Sequence, residues 1–271
     1  MKVLLKILLL LITLASGCFV KPSAVIIRIK GSDTMLILNR IWAEEYMKSH
    51  PDVSIYFEGG GTEEGIKALI NGEADIAAAS RPIDPVEVKE LAKKHSSVGM
   101  SFIVAKDALS IYLNLENPVD NLTVAQVKEI FTGKITNWKD VGGDSEKIEL
   151  ISRPPNSGSY YYFKEHVLDE AEYSAGAKIL PTTESIVKEV MKTKNAVGYG
   201  GIAYSNAVVN CSINGIVPTI ENVQNDTYPI IRYLLLYTVD MPDGELKSYL
   251  DWIVSPAGQQ IVKKSGYIPL W

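Results

Sequence analysis

Short apolar runs alternate along this chain with small polar turns and with apolar residues at helical spacing. Residues 25–29 form the first apolar run, and residues 31–34 form the turn after it. Apolar side chains then recur every three or four positions, which predicts a helix. The same order returns over residues 53–71, where the turn is rich in glycine. This alternation of strand and helix predicts an α/β lobe with a mainly parallel sheet.

The pattern continues beyond these two units. A third strand is predicted at residues 74–79, and Pro85 stands at the first position of the helix after it, which proline favours. The strand predicted at residues 148–151 leads through a turn of Ser, Pro and Gly into a helix predicted over residues 160–168. Residues 230–239 are almost all apolar and predict a long strand near the carboxyl end.

Three of the turns share one composition, because each joins a strand to a helix through glycine or hydroxyl residues. The first N–H groups of a helix lack internal partners and lie at the positive end of its dipole. Turns of this kind gather at the carboxyl ends of the strands in open α/β sheets, so the sequence predicts an anion site. The candidate residues are Ser32, Asp33 and Thr34 in the first turn, Gly61 and Thr62 in the second, and Ser157, Gly158 and Ser159 in the third.

Two arginines stand beside predicted strand ends. Arg153 directly follows the strand before the third turn, and Arg81 follows Ser80. A guanidinium group is a planar fork that suits two oxygens of a tetrahedral anion. Arg153 is the main cationic candidate and Arg81 the second, while a structural ion pair is the alternative for each. Ser32, Asp33 or Thr34 is also expected to cap the first helix.

Composition excludes several classes of protein. The chain has 271 residues, of which 46% are hydrophobic and 22% are charged, as in ordinary globular proteins. The net charge is −5 and no run of Lys or Arg occurs, so we expect no nucleic-acid partner. The 3 histidines lack metal-ligand spacing, and no nucleophile motif occurs. We therefore expect no metal, no cofactor and no catalytic residue.

The amino end has the pattern of a signal peptide. Within residues 1–17, two lysines precede an apolar run at residues 7–15, which is short for a spanning helix of about 20 residues. Three small residues then stand before Cys18, which resembles the lipobox of bacterial lipoproteins. We expect cleavage before Cys18 and its lipidation; the alternative is an ordinary cleaved signal with an incidental Cys. Cys211 is expected to be a small buried group rather than a nucleophile.

The segment of residues 130–143, with the sequence IFTGKITNWKDVGG, resembles the phosphate-binding protein of phosphate ABC transporters. The resemblance covers nearly all of the chain after the signal segment. It implies an α/β, two-lobe periplasmic-binding-protein-like (type II) fold with the ligand cleft between the lobes. Other segments that fit this family in order are GSDT at residues 31–34, GGGT at 59–62, ASR at 79–81, the turn at 153–159, VGY at 197–199, YPI at 228–230 and SPAGQQIV at 255–262.

The resemblance also implies a division of the chain and a set of ligand residues. Residues 24–112 with 232–271 would form the first lobe, and residues 113–231 the second. Ser80 and Arg81 join the turn residues and Arg153 as implied phosphate ligands. Some family members have, in place of Arg81, an Asp that accepts the proton of phosphate, and Asp33 is the candidate substitute. Helix capping is the alternative role for Asp33.

The function that the resemblance implies is capture of inorganic phosphate outside the cytoplasm, in the periplasm or at the cell surface, and its delivery to an ABC permease. Such a protein is not an enzyme, and we expect a monomer held to the membrane by a lipid anchor. One alternative is the same fold binding molybdate, tungstate or sulfate. The others are a secreted phosphatase, and a lipoprotein sensor or adhesin without transport.

Overall fold

A computed structural model describes residues 24–271, so the predicted signal peptide and Cys18 lie outside the described residues. The strands are β1 (Val25–Gly31), β2 (Val53–Glu58), β3 (Ile76–Ala79), β4 (Met100–Leu113), β5 (Asn121–Leu122), β6 (Glu149–Ser152), β7 (Lys178–Ile179), β8 (Ala196–Gly201), β9 (Val209–Ile213) and β10 (Ile231–Thr238). The α-helices are α1 (Leu36–Ser49), α2 (Thr62–Asn71), α3 (Pro85–His95), α4 (Val124–Phe131), α5 (Gly158–His166), α6 (Thr183–Lys192), α7 (Ile220–Gln224), α8 (Gly244–Val254) and α9 (Pro256–Lys264). Within residues 24–271, no helix has the length and apolar character that a membrane crossing requires.

The strands follow one another in the order β2-β1-β3-β10-β4-β8-β6-β7. Strand β1 is parallel to both β2 and β3, as the sequence predicts. Strand β10 is antiparallel to both β3 and β4, and β4 is antiparallel to β8. Parallel pairing thus occurs at both ends of this order, among β1, β2 and β3 and among β6, β7 and β8. The expected mainly parallel sheet is interrupted at its centre, where β10 and β4 are antiparallel to their neighbours.

Strands β4 and β10 connect two hydrophobic cores. The first core holds Trp42, together with Ala105 of β4 and Leu234 of β10. The second core holds Trp138, together with Leu109 of β4 and Ile230, which directly precedes β10. Each of these two strands thus passes from one core to the other within a few residues. The lobe limits implied by the resemblance fall close to these positions and stay predictions.

Two predictions about helix starts are wrong. Helix α1 begins after a 3-10 turn at Asp33–Met35, and its cap residue, Met35, makes no side-chain capping bond. Ser32, Asp33 and Thr34 therefore do not cap this helix, because the Asp33 side chain is bonded to other groups. Helix α5 begins at Gly158 rather than at residue 160, because the Ser157 hydroxyl accepts hydrogen bonds from the N–H groups that follow it.

Cys211 is fully buried in the second core, as the sequence predicts. Burial raises the pKa of its thiol to about 12, because a thiolate loses its hydration there. The thiol is thus kept neutral at ordinary pH, which fits a packing role and not that of a nucleophile.

Candidate functional site

The three turns predicted to bind an anion meet at the junction of the two cores. The turns after β1 and β2 lie at the carboxyl ends of parallel strands, and the turn of residues 153–159 faces them from the other core. The Asn156 carbonyl oxygen accepts a hydrogen bond from the Glu63 amide at 3.4 Å, and its side-chain amide donates to the Gly60 carbonyl at 3.1 Å. The turns of the two halves are therefore in direct contact.

Two helix amino ends meet at this contact. Helix α2 begins at Thr62 and α5 at Gly158. The Thr62 hydroxyl accepts a hydrogen bond from the Ser80 amide at 3.2 Å and lies 3.5 Å from the Ser80 hydroxyl. Gly158 packs against both hydroxyls. The predicted residues Thr62, Ser80 and Gly158 thus share one place, where two helix dipoles present their positive ends.

Arg153 lies at the centre of this junction and is only 2% exposed. Its Nη2 donates to Asp33 Oδ2 at 2.7 Å and its Nη1 to the Thr183 hydroxyl at 3.2 Å. Among residues 24–271, its Nε has no hydrogen-bond partner. Burial lowers the pKa of the guanidinium, and the charge of Asp33 opposes this shift. Since the pKa of arginine is ordinarily above 12, the side chain still carries its charge.

The Asp33 carboxylate links three segments of the chain. Its Oδ2 accepts from Arg153, and its Oδ1 accepts from the Gly60 amide at 3.0 Å. The Asp33 backbone carbonyl accepts from the Tyr204 hydroxyl at 2.8 Å. The structure thus places this side chain in the site and gives it no capping role. Ser32 and Gly61 support the same turns through backbone N–H groups that donate to Ala78 and Gly31, respectively.

The structure adds a second buried arginine, Arg232 on β10, which the sequence analysis missed. Arg232 is 2% exposed and Asp107 of β4 is fully buried. Arg232 donates to Asp107 Oδ2 from Nε at 2.9 Å and from Nη2 at 2.7 Å. It also donates to the hydroxyls of Ser159 at 2.7 Å and Thr34 at 3.2 Å. The signal available was a charged residue inside each of two apolar strands, Arg232 in β10 and Asp107, beside Lys106, in β4, because buried charges are normally paired.

Burial raises the pKa of Asp107, while the charge of Arg232 and the Ile202 amide oppose that shift. The carboxylate therefore depends on these two partners to stay ionised. We call Asp33, Thr34, Arg153, Ser159 and Arg232 the cleft cluster, since hydrogen bonds connect Arg153 to Asp33 and the other three to one another.

Arg81 lies in a different environment. Its guanidinium makes two hydrogen bonds to Glu87, at 2.7 and 2.8 Å, donates to the Pro82 carbonyl, and lies over the Tyr161 ring. Burial lowers its pKa, but the hydrogen bonds and charge of Glu87 outweigh this effect and raise it overall. Its hydrogen bonds within the described residues thus go to its own lobe and not to the cleft cluster. A direct contact of Arg81 with phosphate stays a prediction.

The two cores joined by crossing strands, with polar turns between them, define a substrate-binding protein of the two-lobe, type II kind. A model of the PBP superfamily domain matches residues 20–257 of the chain. The phosphate-binding protein PstS of Pseudomonas aeruginosa is 33% identical over 263 residues, which is 89% of this chain and 81% of the relative. The protein of the same name from Bacillus subtilis is 34% identical over 252 residues, with coverages of 89% and 80%.

A solved structure agrees with these relatives. A Clostridium perfringens protein solved with bound phosphate superposes with a TM-score of 0.85 at 30% identity, covering 91% of this chain and 100% of that one. The chain belongs to the family of phosphate ABC transporter substrate-binding proteins, within the PBP superfamily.

Proposed function

We propose that this protein binds inorganic phosphate between its two lobes and delivers it to an ABC permease. The observation that carries this proposal is the buried guanidinium of Arg153, which Asp33 connects to the turn that leads into α2. A permanent positive charge enclosed with N–H and O–H donors is suited to a small oxyanion. The relatives named as phosphate-binding proteins, and the solved relative with bound phosphate, support the choice of ligand.

The proposed binding step needs no covalent chemistry. The Nε of Arg153 supplies one donor, and the amides of Thr62 and Gly158, which begin α2 and α5, supply two others, with the hydroxyls of Thr62 and Ser159 beside them. These groups are enclosed between the lobes, where each charge-assisted hydrogen bond is stronger than in water. The lobes open and close by bending at β4 and β10, the two strands that connect them.

The setting of this function is also part of the proposal. We place the protein outside the cytoplasm, because the solved relative from Clostridium perfringens is described as a phosphate ABC transporter substrate-binding protein and residues 1–17 have the pattern of a signal peptide. Lipidation of Cys18 would hold a monomeric binding protein beside its permease. Cleavage and lipidation are checked by mass spectrometry of the protein recovered from membranes.

Replacing Arg153 by alanine tests the site. We expect Arg153→Ala to weaken phosphate binding at least about tenfold, which is about 1.4 kcal/mol, because it removes the buried positive charge. The measurement is calorimetric titration with phosphate, with circular dichroism to confirm the fold. Arg28→Ala is the control, since Arg28 pairs with Asp75 on the surface. Wild-type affinity in the Arg153 variant would refute the proposed site.

Titration of the wild-type protein with phosphate, sulfate and molybdate tests the ligand. We expect phosphate to bind more tightly than the other two anions, and tighter binding of either would make that anion the ligand instead.

A further inference from the structure

We propose that Arg232 is a positioning residue, which orients the hydroxyls of Thr34 and Ser159 toward the bound anion and ties them to the strands that connect the lobes. The inference rests on the proposed function. It concerns a residue outside the three turns, since Arg232 lies within β10 and its partner Asp107 lies opposite it on β4. Both residues therefore belong to the connecting strands.

The contacts of Arg232 reach both lobes at once. Thr34 lies in the turn after β1, and Ser159 lies in the first turn of α5. Arg232 donates to each of these hydroxyls, at 3.2 and 2.7 Å, and the two hydroxyl oxygens are 3.1 Å apart. These three groups thus form a closed triangle in which one residue comes from each lobe and one from a connecting strand.

The direction of these hydrogen bonds fixes the orientation of the hydroxyls. Arginine can only donate, so both oxygens accept from Arg232 and both hydroxyl hydrogens must point elsewhere. One of the two hydroxyls donates to the other across 3.1 Å. The second hydroxyl keeps its hydrogen for another acceptor, such as an oxygen of phosphate. Without Arg232, either hydroxyl could rotate and present a lone pair to the anion, which would repel it.

Asp107 holds Arg232 in this position. It accepts two hydrogen bonds from the guanidinium through Oδ2, and its Oδ1 accepts from the Ile202 amide at 3.2 Å. The buried pair is electrically neutral, so Arg232 acts on the anion through the two hydroxyls rather than by net charge. A pair that served only to stabilise the fold would affect phosphate binding independently of the Ser159 hydroxyl. This difference can be measured.

The experiment is a mutant cycle read by calorimetric titration with inorganic phosphate. Its four proteins are the wild type, Ser159→Ala, the double variant Arg232→Gln with Asp107→Asn, and the triple variant. The double variant keeps the shape of the pair and avoids leaving one buried charge alone. Lys106→Gln with Asp226→Asn is the matched control, because it neutralises a neighbouring ion pair of β4 at the protein surface.

We expect the double variant to bind phosphate at least about tenfold more weakly than the wild type. Ser159→Ala should cost about tenfold in the wild type but less than about threefold in the double variant, since residues that act together are not additive. The surface control should bind like the wild type. Wild-type affinity in the double variant, or an equal cost of Ser159→Ala on both backgrounds, would overturn the inference.

Arg232→Lys keeps the inference testable if the double variant does not fold. Lysine preserves the charge beside Asp107 but replaces the planar fork by a single nitrogen, which cannot reach both hydroxyls and the carboxylate in the same way. We expect it to bind phosphate about tenfold more weakly, and wild-type binding would overturn the inference. If the wild-type protein binds no phosphate, the proposed function is wrong. If the wild type binds phosphate and the Arg232 variants bind it equally well, only the inference about Arg232 is wrong.

Discussion

Asp33 brings a carboxylate into a site whose other groups favour an anion. Its two oxygens accept hydrogen bonds from Arg153 and from the Gly60 amide, and an ionised carboxylate has no hydrogen to donate. Hydrogen phosphate carries a P–OH group that can donate to such an oxygen, whereas sulfate carries none. We therefore propose that this carboxylate faces the bound anion and favours phosphate over sulfate.

Replacing Asp33 by asparagine tests this role at the residue scale. The amide of Asn can donate to a sulfate oxygen, so we expect Asp33→Asn to lower the ratio of phosphate to sulfate affinity at least about tenfold. Calorimetric titration with both anions at one pH measures the ratio. Asp75→Asn, at the surface pair with Arg28, is the control. An unchanged ratio of phosphate to sulfate affinity would show that Asp33 does not accept a hydrogen bond from the P–OH group of bound phosphate.

Helices α2 and α5 are the elements that bring the two lobes together at the site. Gly158 begins α5 and faces Thr62, which begins α2, so the two amino ends approach without a side chain between them. A Cβ atom on Gly158 would overlap the Thr62 hydroxyl and would lie 2.5 Å from the Ser80 hydroxyl. A close approach, rather than an unusual backbone angle, is what requires glycine at this position.

We therefore expect Gly158→Ala to hold the two helix ends apart and to weaken phosphate binding about tenfold or more. Overpacking of this kind costs about 1–3 kcal/mol, and 1.4 kcal/mol corresponds to a factor of ten in affinity. Gly176→Ala is the matched control, since a Cβ there would lie 3.7 Å from its nearest neighbour, the Ser174 hydroxyl. Equal phosphate affinity of the two variants in calorimetry would contradict the close-approach argument.

At the scale of the whole molecule, stability rests on two cores that share β4 and β10. Cys211 lies in the second core and pairs through its backbone with Ile111 of β4. Because burial raises the pKa of its thiol to about 12, the folded state resists forming the thiolate. The unfolded chain forms it near the ordinary pKa of a thiol, about 8.5. The stability that Cys211 contributes is therefore fully present below that pKa and is lost as the pH rises toward 12.

This difference predicts a loss of stability in alkaline solution. Between pH 9 and pH 10, Cys211 alone should lower the free energy of unfolding by about 1 kcal/mol. Urea unfolding of the wild type and of Cys211→Ala at pH 8, 9 and 10 measures its share. We expect the variant to lose less stability over this range than the wild type does. Parallel pH profiles for the two proteins would mean that the thiol ionises equally in both states.

Local patterns in the sequence determined the strand, turn and helix units of the first lobe. Apolar spacing predicted β1 to β3 and their helices, because that spacing depends on neighbouring residues only. The composition of the turns also predicted an anion site, since helix amino ends and hydroxyl residues act locally. Arg153 was found in the same way, as a guanidinium at the end of a strand.

Only the tertiary structure decided how these parts are combined. Arg153 bonds to Asp33, and Arg232 to Asp107, across 120 and 125 residues of chain, so no local pattern could pair them. Arg81 resembled Arg153 in sequence but is bonded to Glu87, which lies six residues away in the first turn of α3. The partners of Arg153 and Arg232 are set by the packing of distant strands and helices, whereas the strands and helices themselves are set by near neighbours.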